Sequence, residues 1–211
     1  MIGDAVEWLR GRDRANPWLL LGQGPSLDQY LKLDLRRYTT FGLNRVVRLL
    51  DVDVCHFSDI ETFHECQDHD RIKERCRTKI IIPWYPHTNH RSGKQTLDAW
   101  CKRSPTLKKL RDEERLLSYN SSLAWKKPRN PRWPIIRVKL FSGVAAFNLL
   151  AAAGVRVVCS LGIDGGESYS RAFPKSTCLN NGQDNFDVQF REIDKTLREY
   201  KMRHVPLGRR R

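Results

Sequence analysis

Three short stretches of this 211-residue chain have the residue types and spacing to hold an anionic ligand. The first is Leu20-Leu21-Gly22-Gln23-Gly24-Pro25-Ser26. An apolar strand that runs into glycines and then a helix start leaves backbone N–H groups unpaired. With no side chains in the way, a phosphate can approach them. Pro25 suits the first turn of that helix, and Ser26 and Asp28 suit its N-terminal end. The stretch lacks the Gly-Lys-Ser/Thr of a P-loop and does not fit Gly-x-Gly-x-x-Gly, so a plain strand–helix turn explains it equally well. The second stretch, Phe141-Ser142-Gly143-Val144, opens an Ala-rich helix with small residues. The third, Ser160-Leu161-Gly162-Ile163-Asp164-Gly165-Gly166, puts a carboxylate among glycines at the end of a strand. Ligands of open α/β sheets bind there, so Asp164 is placed to touch a hydroxyl or to take a proton. Its plainer role is to cap a turn.

The histidines and acidic pairs are less specific. His56 ends an apolar run beside Ser58 and Asp59, where ligand contacts cluster, and is a candidate catalytic residue. His87 and His90 fall in Pro86-His87-Thr88-Asn89-His90-Arg91. A histidine near neutral pH could deprotonate an acceptor, but these two read as solvated loop residues. His64, Glu65, Cys66, His69 and Cys76 match no paired zinc spacing. Asp51-Val52-Asp53 and Asp68-His69-Asp70 have the D-x-D form that bridges a divalent cation to a diphosphate. The pattern is short, and Asp51 and Asp53 precede a strand rather than end one. No metal site is assigned, and dependence on a divalent metal stays undecided.

The elements that must position these residues alternate. Trp18 to Leu21, Tyr38 to Gly42, Val52 to Phe57, Lys79 to Ile82, Ile135 to Val138 and Val155 to Leu161 read as strands. Asn44 to Leu50, Ile60 to Gln67, Leu107 to Leu117, Val144 to Ala153 and Phe186 to Tyr200 read as helices. Continuous apolar strands interleaved with helices predict an α/β, Rossmann-like, mostly parallel sheet with helices on both faces. Residues 84–134 break the rhythm with four tryptophans (Trp84, Trp100, Trp125, Trp133) and five prolines. They read as an inserted basic lid on a single nucleotide-binding domain spanning 1–211.

Charge adds a partner. The chain has 38 Lys+Arg against 24 Asp+Glu, a net +14. Residues 101–140 alone carry 12 basic and 3 acidic groups, +9, and Arg209-Arg210-Arg211 form a smaller basic knot. Such a field attracts polyanions. Basic residues interleaved with tryptophans suit nucleic acid, with Lys126, Lys127 and Arg129 as acceptor contacts. An ordinary solvated insertion is the alternative. Six cysteines without C-x-x-C pairs predict free thiols rather than disulfides. No stretch is long and apolar enough to span a bilayer, and Met1-Ile2-Gly3-Asp4 does not open an export signal, so no membrane partner and a cytoplasmic location are expected.

Taken in order, Gly-x-Gly-Pro-Ser-Leu, an Asn after the second strand, Ser-Gly-Val and Leu-x-Gly-Ile-Asp resemble one superfamily. It comprises the bacterial lipooligosaccharide sialyltransferases and their relatives, the archaeal 6-hydroxymethylpterin pyrophosphokinases and motility-associated glycosyltransferase-like proteins. The resemblance runs from about residue 18 to 200. It implies that Gly22, Gly24, Pro25, Ser26, Asn44, Ser142 and Gly143 hold the nucleotide of a CMP-sugar. Gln23, Asp59 and Gly162 flank these residues and complete the expected donor set. Ser168-Tyr169-Ser170-Arg171-Ala172-Phe173 is similar to the family's Tyr-bearing stretch and offers Tyr169 to the leaving phosphate. One departure stands out: Asn181-Gly182-Gln183-Asp184-Asn185-Phe186-Asp187 has no His where the family has its general base. Asp184, Asp187, Asp164 or a lid histidine would have to replace it. The expected function is a glycosyltransferase with a nucleotide-sugar donor and an acceptor that includes a base in DNA or RNA, a DNA-binding and DNA-modifying role. The alternatives are an ATP-dependent kinase or pyrophosphokinase and a non-catalytic nucleotide- or nucleic-acid-binding module.

Overall fold

A computed structural model describes residues 1–12, 16–73, 77–89, 91–139, 141–166, 168–174 and 183–208. Its strands are β1 (Gly3–Asp4), β2 (Trp18–Leu21), β3 (Thr39–Leu43), β4 (Val54–His56), β5 (Lys79–Ile81), β6 (His87–Thr88), β7 (Arg91–Ser92), β8 (Leu116–Ser118), β9 (Asn120–Ser121), β10 (Ile135–Ile136), β11 (Val157–Leu161) and β12 (Arg203–Pro206). Its helices are α1 (Ala5–Arg10), α2 (Ile60–Cys66), α3 (Asp70–Lys73), α4 (Leu97–Cys101), α5 (Pro105–Asp112), α6 (Ser142–Ala152) and α7 (Gln183–Glu199).

Eight strands form one parallel sheet in the order β1-β8-β5-β4-β3-β2-β11-β12. The apolar runs are continuous because both faces of this sheet are covered. Alternate residues of β2 serve opposite cores. Leu20 joins Phe41, Val54 and the residues of α1 and α6 on one side. Leu19 and Leu21 join Val46, Phe57, Phe63 and Leu107 on the other. Burying each such side chain contributes about 1.5–3 kcal/mol. Helix α6 lies between the sheet and α1 and α7, and its residues from Gly143 to Ala151 are buried. That explains why it is apolar all round.

The chain moves outward from β2 through β3, β4 and β5 to β8, and β11 returns on the other side of β2. The strand order therefore reverses between β2 and β11. A crevice opens at the carboxyl ends of the strands at such a point.

Several sequence readings are corrected. Residues 84–134 are not a lid as a whole. Helices α4 and α5 pack on the core through Leu97, Cys101, Leu107 and Leu110, and β8 lies inside the sheet between β1 and β5. The expected helix from Leu107 to Leu117 ends at Asp112, and Glu114 turns the chain with φ 57°. Leu116 and Leu117 are then strand residues. Ile135 and Ile136 pair with β9 rather than with the main sheet, so residues 119–138 form a small flap. The segment after Pro25 is a run of 3-10 turns over Pro25–Lys32, not an α-helix. Edge strands β1 and β12 are too short or too polar for the apolar pattern to reveal. Cys76, Cys178, His90, Asn181, Gly182 and Arg209 to Arg211 lie outside the described residues. No described helix is long and apolar enough to cross a membrane.

His56, the last residue of β4, is fully buried, with Nε2 2.9 Å from the Tyr119 hydroxyl. Burial, reinforced by the charge of His87, pushes its pKa from 6.5 down to about 3. The unfolded chain protonates this residue below pH 6.5 and the folded chain does not, so its stabilising effect is complete above that pH and declines as pH falls. At pH 5 the loss should reach about 2 kcal/mol. Urea unfolding at pH 7 and pH 5 tests this by comparing the chain with His56→Gln, whose pH dependence should be smaller by that amount. Equal pH dependence in both would contradict a neutral, buried imidazole.

Candidate active site

The site starts where β2 and β11 end side by side, Leu21 paired with Leu161. Both strands run into glycine, and the two turns interlock. The Gly22 amide donates to the Leu161 carbonyl at 2.8 Å, and the Gly24 amide to the Gly162 carbonyl at 2.9 Å. A Cβ on Gly22 would lie 2.3 Å from the Gly162 carbonyl oxygen. A Cβ on Gly162, whose φ is +71°, would lie equally close to the Gly22 carbonyl oxygen. Only hydrogen fits at both positions.

Side chains fasten the same junction. The Asp164 carboxylate accepts the Ser26 amide at 2.7 Å, and the Ser26 hydroxyl accepts the Gly162 amide at 2.7 Å. A Cβ on Gly24 would meet Asp164 Oδ2 at 2.4 Å, so this glycine makes room for the carboxylate. Farther along, the Ser170 amide donates to the Gln23 carbonyl at 2.8 Å, and the Ser170 hydroxyl to Asp28 at 2.5 Å. These bonds hold the loop carrying Tyr169 against the Gly22–Ser26 turn.

The opposite wall is the start of α6. Its N-cap is Phe141, which has no side-chain acceptor, so the first amides of the helix face the cleft without a cap. A helix N-terminus in that state carries partial positive charge and four unsatisfied donors. The Ser142 hydroxyl lies 3.0 Å from that of Ser58 and 3.4 Å from Asn44 Oδ1. Asn44 turns the chain at the end of β3 with φ 52°, a left-handed conformation that asparagine tolerates better than most residues.

The cleft between these walls has a volume of about 240 Å³. Of the residues singled out from the sequence, Gly22, Gln23, Gly24, Asn44, Asp59, Ser142, Gly143, Gly162, Asp164 and Tyr169 line it. Pro25 and Ser26 stand behind the wall, Ser26 being buried with its hydroxyl turned to Gly162. Asp184 is exposed at the start of α7 and does not line the cleft, whereas Asn185, Phe186 and Gln189 do. His56 is sealed in the sheet against Tyr119 and also lies outside the cleft. Asp53 accepts the amide and hydroxyl of Thr40, and Asp51 pairs with Arg71, so this D-x-D pair holds the amino edge of the sheet together. Among the described residues no cluster of acids, histidines or cysteines is arranged to hold a metal.

Sequence reasoning gave no site role to Arg45 or Phe186, and none to the ring of Phe141. Arg45 follows Asn44 into the cleft wall and is anchored to Glu65, its Nε 2.9 Å from Oε2. Phe141 and Phe186 stack at 6.2 Å between centroids and give the cleft an apolar side. Phe186 was legible only as the start of the last helix, because its partner lies 45 residues upstream. His87, read as a solvated loop residue, is buried at 3% exposure, because β6 docks beside Ser58 and Asp59.

Lys126, Lys127 and Arg129 sit on the flap, outside the cleft. Lys127 donates to the Gly93 carbonyl and lies over the Tyr85 ring. Lys126 and Arg129 are exposed. Of the tryptophans in 84–134, Trp125 is 66% exposed, whereas Trp84 and Trp133 pack edge to face.

No protein-family model matches the chain, and no curated protein matches it in sequence. Solved structures do match. The chain is 18% identical to the sialyltransferase CST-II in complex with a trisaccharide acceptor and CMP, with a TM-score of 0.54 over 92% of this chain and 81% of that one. A point variant of CST-II in complex with CMP gives a TM-score of 0.55 at 15% identity, over the same shares. CstII from Campylobacter jejuni in complex with the substrate analogue CMP-3FNeuAc gives 0.51 at 16% identity, over 92% and 81%. The chain thus has the Rossmann-type α/β fold of these sialyltransferases.

The interlocked turns make a stability prediction. Gly22→Ala should destabilise the protein by more than about 2 kcal/mol, because backbone must move. Asp164→Ala should cost about 1.5–3 kcal/mol by leaving the Ser26 amide without its charged acceptor. A Cβ on Gly166 meets nothing within 4 Å, so Gly166→Ala should stay within about 0.5 kcal/mol of the parent. Denaturant titrations check all three, and a fully stable Gly22→Ala would contradict the close approach.

Proposed function

We propose that the protein is a glycosyltransferase that takes a sugar from a nucleotide donor, in the first instance a CMP-sugar. The observation that carries this reading is the cleft at the β2–β11 reversal, bounded by the Gly22–Gly24 turn and the uncapped start of α6. It occurs in a fold whose solved neighbours bind CMP and a CMP-sugar analogue. The donor phosphate sits at the α6 N-terminus, where the free amides of the first turn meet its charge. Asn44 and Ser142 bind the nucleoside side, and the apolar pair Phe141 and Phe186 excludes water from the sugar side. Tyr169 donates its hydroxyl to the leaving phosphate, a bond that strengthens as charge develops.

Calorimetric titration with CMP, CDP and ATP, followed by turnover of a panel of nucleotide sugars, tests the reading. CMP should bind and one CMP-sugar should be consumed. Gly143→Val should lower CMP affinity at least tenfold, because the side chain would fill the space at the helix start. Its fold should be retained, since a Cβ there meets only the flexible end of Gln189. Tyr169→Phe should lower turnover about tenfold and weaken CMP binding, because free CMP carries the full charge of the leaving phosphate, while sparing affinity for the intact CMP-sugar. Turnover of ATP with Mg²⁺ instead would establish the kinase alternative. Binding without turnover of any donor would establish a binding module.

The acceptor side is basic. No acidic residue occurs between Glu114 and Asp164, and Lys126 and Arg129 project from the flap. This supports an anionic acceptor, of which nucleic acid is one class. Lys127 is committed to Gly93, so replacing Lys126, Lys127 and Arg129 with Ala should flatten the log–log salt dependence of single-stranded DNA binding by about two contacts, not three. Absence of DNA and RNA binding at low salt would remove nucleic acid as the acceptor.

A further inference from the structure

Transfer of a sugar to a hydroxyl needs a group that takes the hydroxyl proton. Several acidic and imidazole groups near the cleft are unsuited. Asp164 is engaged by the Ser26 amide and pressed against Gly24. Asp184 and Asp187 lie on the exposed side of α7, outside the cleft. His56 is buried with Tyr119 and stays neutral.

Asp59 differs from all of these. It occupies the N-cap position of α2, where an aspartate ordinarily accepts an amide of the first turn. Its side chain makes no such bond. Instead Asp59 lines the cleft, with its buried Oδ1 3.7 Å from Nδ1 of His87. The pairing is set by the main chain: the His87 amide donates to the Ser58 carbonyl at 2.8 Å, and Asp59 and His87 form a parallel β-bridge. The side chain of Asp59 is 18% exposed and that of His87 4%. The imidazole is thus more deeply buried than the side chain of Asp59, which keeps exposure where the residue lines the cleft.

We propose that Asp59 is the catalytic base for transfer and that His87 is the positioning residue that orients it. The inference rests on the glycosyltransferase reading above. In the step, the acceptor O–H gives its proton to the Asp59 carboxylate while its oxygen bonds to the anomeric carbon. The bond from that carbon to the nucleotide phosphate oxygen breaks, and the electron pair leaves on the phosphate. Asp59 then releases the proton to solvent.

The test uses CMP-N-acetylneuraminic acid with two nucleophiles. Water carries a proton that must be removed, and azide carries none. Asp59→Asn should slow hydrolysis about 10²–10³-fold. Formation of the glycosyl azide should stay within about threefold of the parent. His87→Gln should slow hydrolysis about tenfold and spare the azide reaction, a split that simple loss of structure would not produce. Hydrolysis at the parental rate by Asp59→Asn would overturn the assignment. Equal loss of both reactions would overturn it too, because Asp59 would then serve donor binding or folding. If the parent protein binds no CMP, or consumes no CMP-sugar of the panel with either nucleophile, the glycosyltransferase reading itself fails.

Discussion

The contact of Gly22 with Gly162 is the constraint on which the cleft depends. Two backbones meet there with no room for a side chain on either. The parallel sheet creates the opportunity, since β2 and β11 are neighbours whose following segments leave in different directions. The glycines bring the two turns into hydrogen-bonding contact, and Asp164 and Ser26 exchange bonds across the junction. One wall of the cleft is thus rigid and made of main chain. Such a wall is suited to a ligand recognised by shape and charge rather than by long side chains.

The remaining walls are supplied by elements that have reasons of their own to be where they are. Helix α6 is apolar on every side because the sheet, α1 and α7 enclose it, and that enclosure aims its uncapped end at the glycine turns. Asn44 accepts a left-handed backbone to place its amide near Ser142. The strand β6, only two residues long, pairs with the start of α2 and buries His87 behind Asp59. The amino edge of the sheet carries many charges as well, but they are used in cross-links such as Arg71 to Asp51 and Asp53 to Thr40. Charge density alone did not mark the site.

Much of this was legible in the sequence. Leu19-Leu20-Leu21 before Gly22, and Val158 to Leu161 before Gly162, announced strands buried on both faces and ending in turns. The residues of the glycine turns that line the cleft follow from those ends. The reason for the glycines was only partly legible: backbone contact between two turns distant in sequence requires them, whatever else approaches. Asp164 read either as a group free to touch a ligand or as the cap of a turn, and its partner was hidden because the Ser26 amide lies 138 residues away. The run 84–134 looked like a lid because β8 and β1 are too short to show a period, and because its prolines bracket helices that pack on the core. His87 looked solvated because a two-residue strand leaves no trace in a pattern. Local chemistry was readable wherever one element determined it, and unreadable wherever two distant elements shared it.

The account turns on where a nucleotide phosphate binds. The most direct measurement is a crystal structure of the protein grown or soaked with CMP. The phosphate should lie within about 3 Å of backbone N–H groups at the start of α6 and within reach of the Tyr169 hydroxyl, with the base beside Asn44. CMP ordered at the amino edge of the sheet, among Asp51, Arg71 and their neighbours, would contradict it, as would an empty cleft at millimolar CMP.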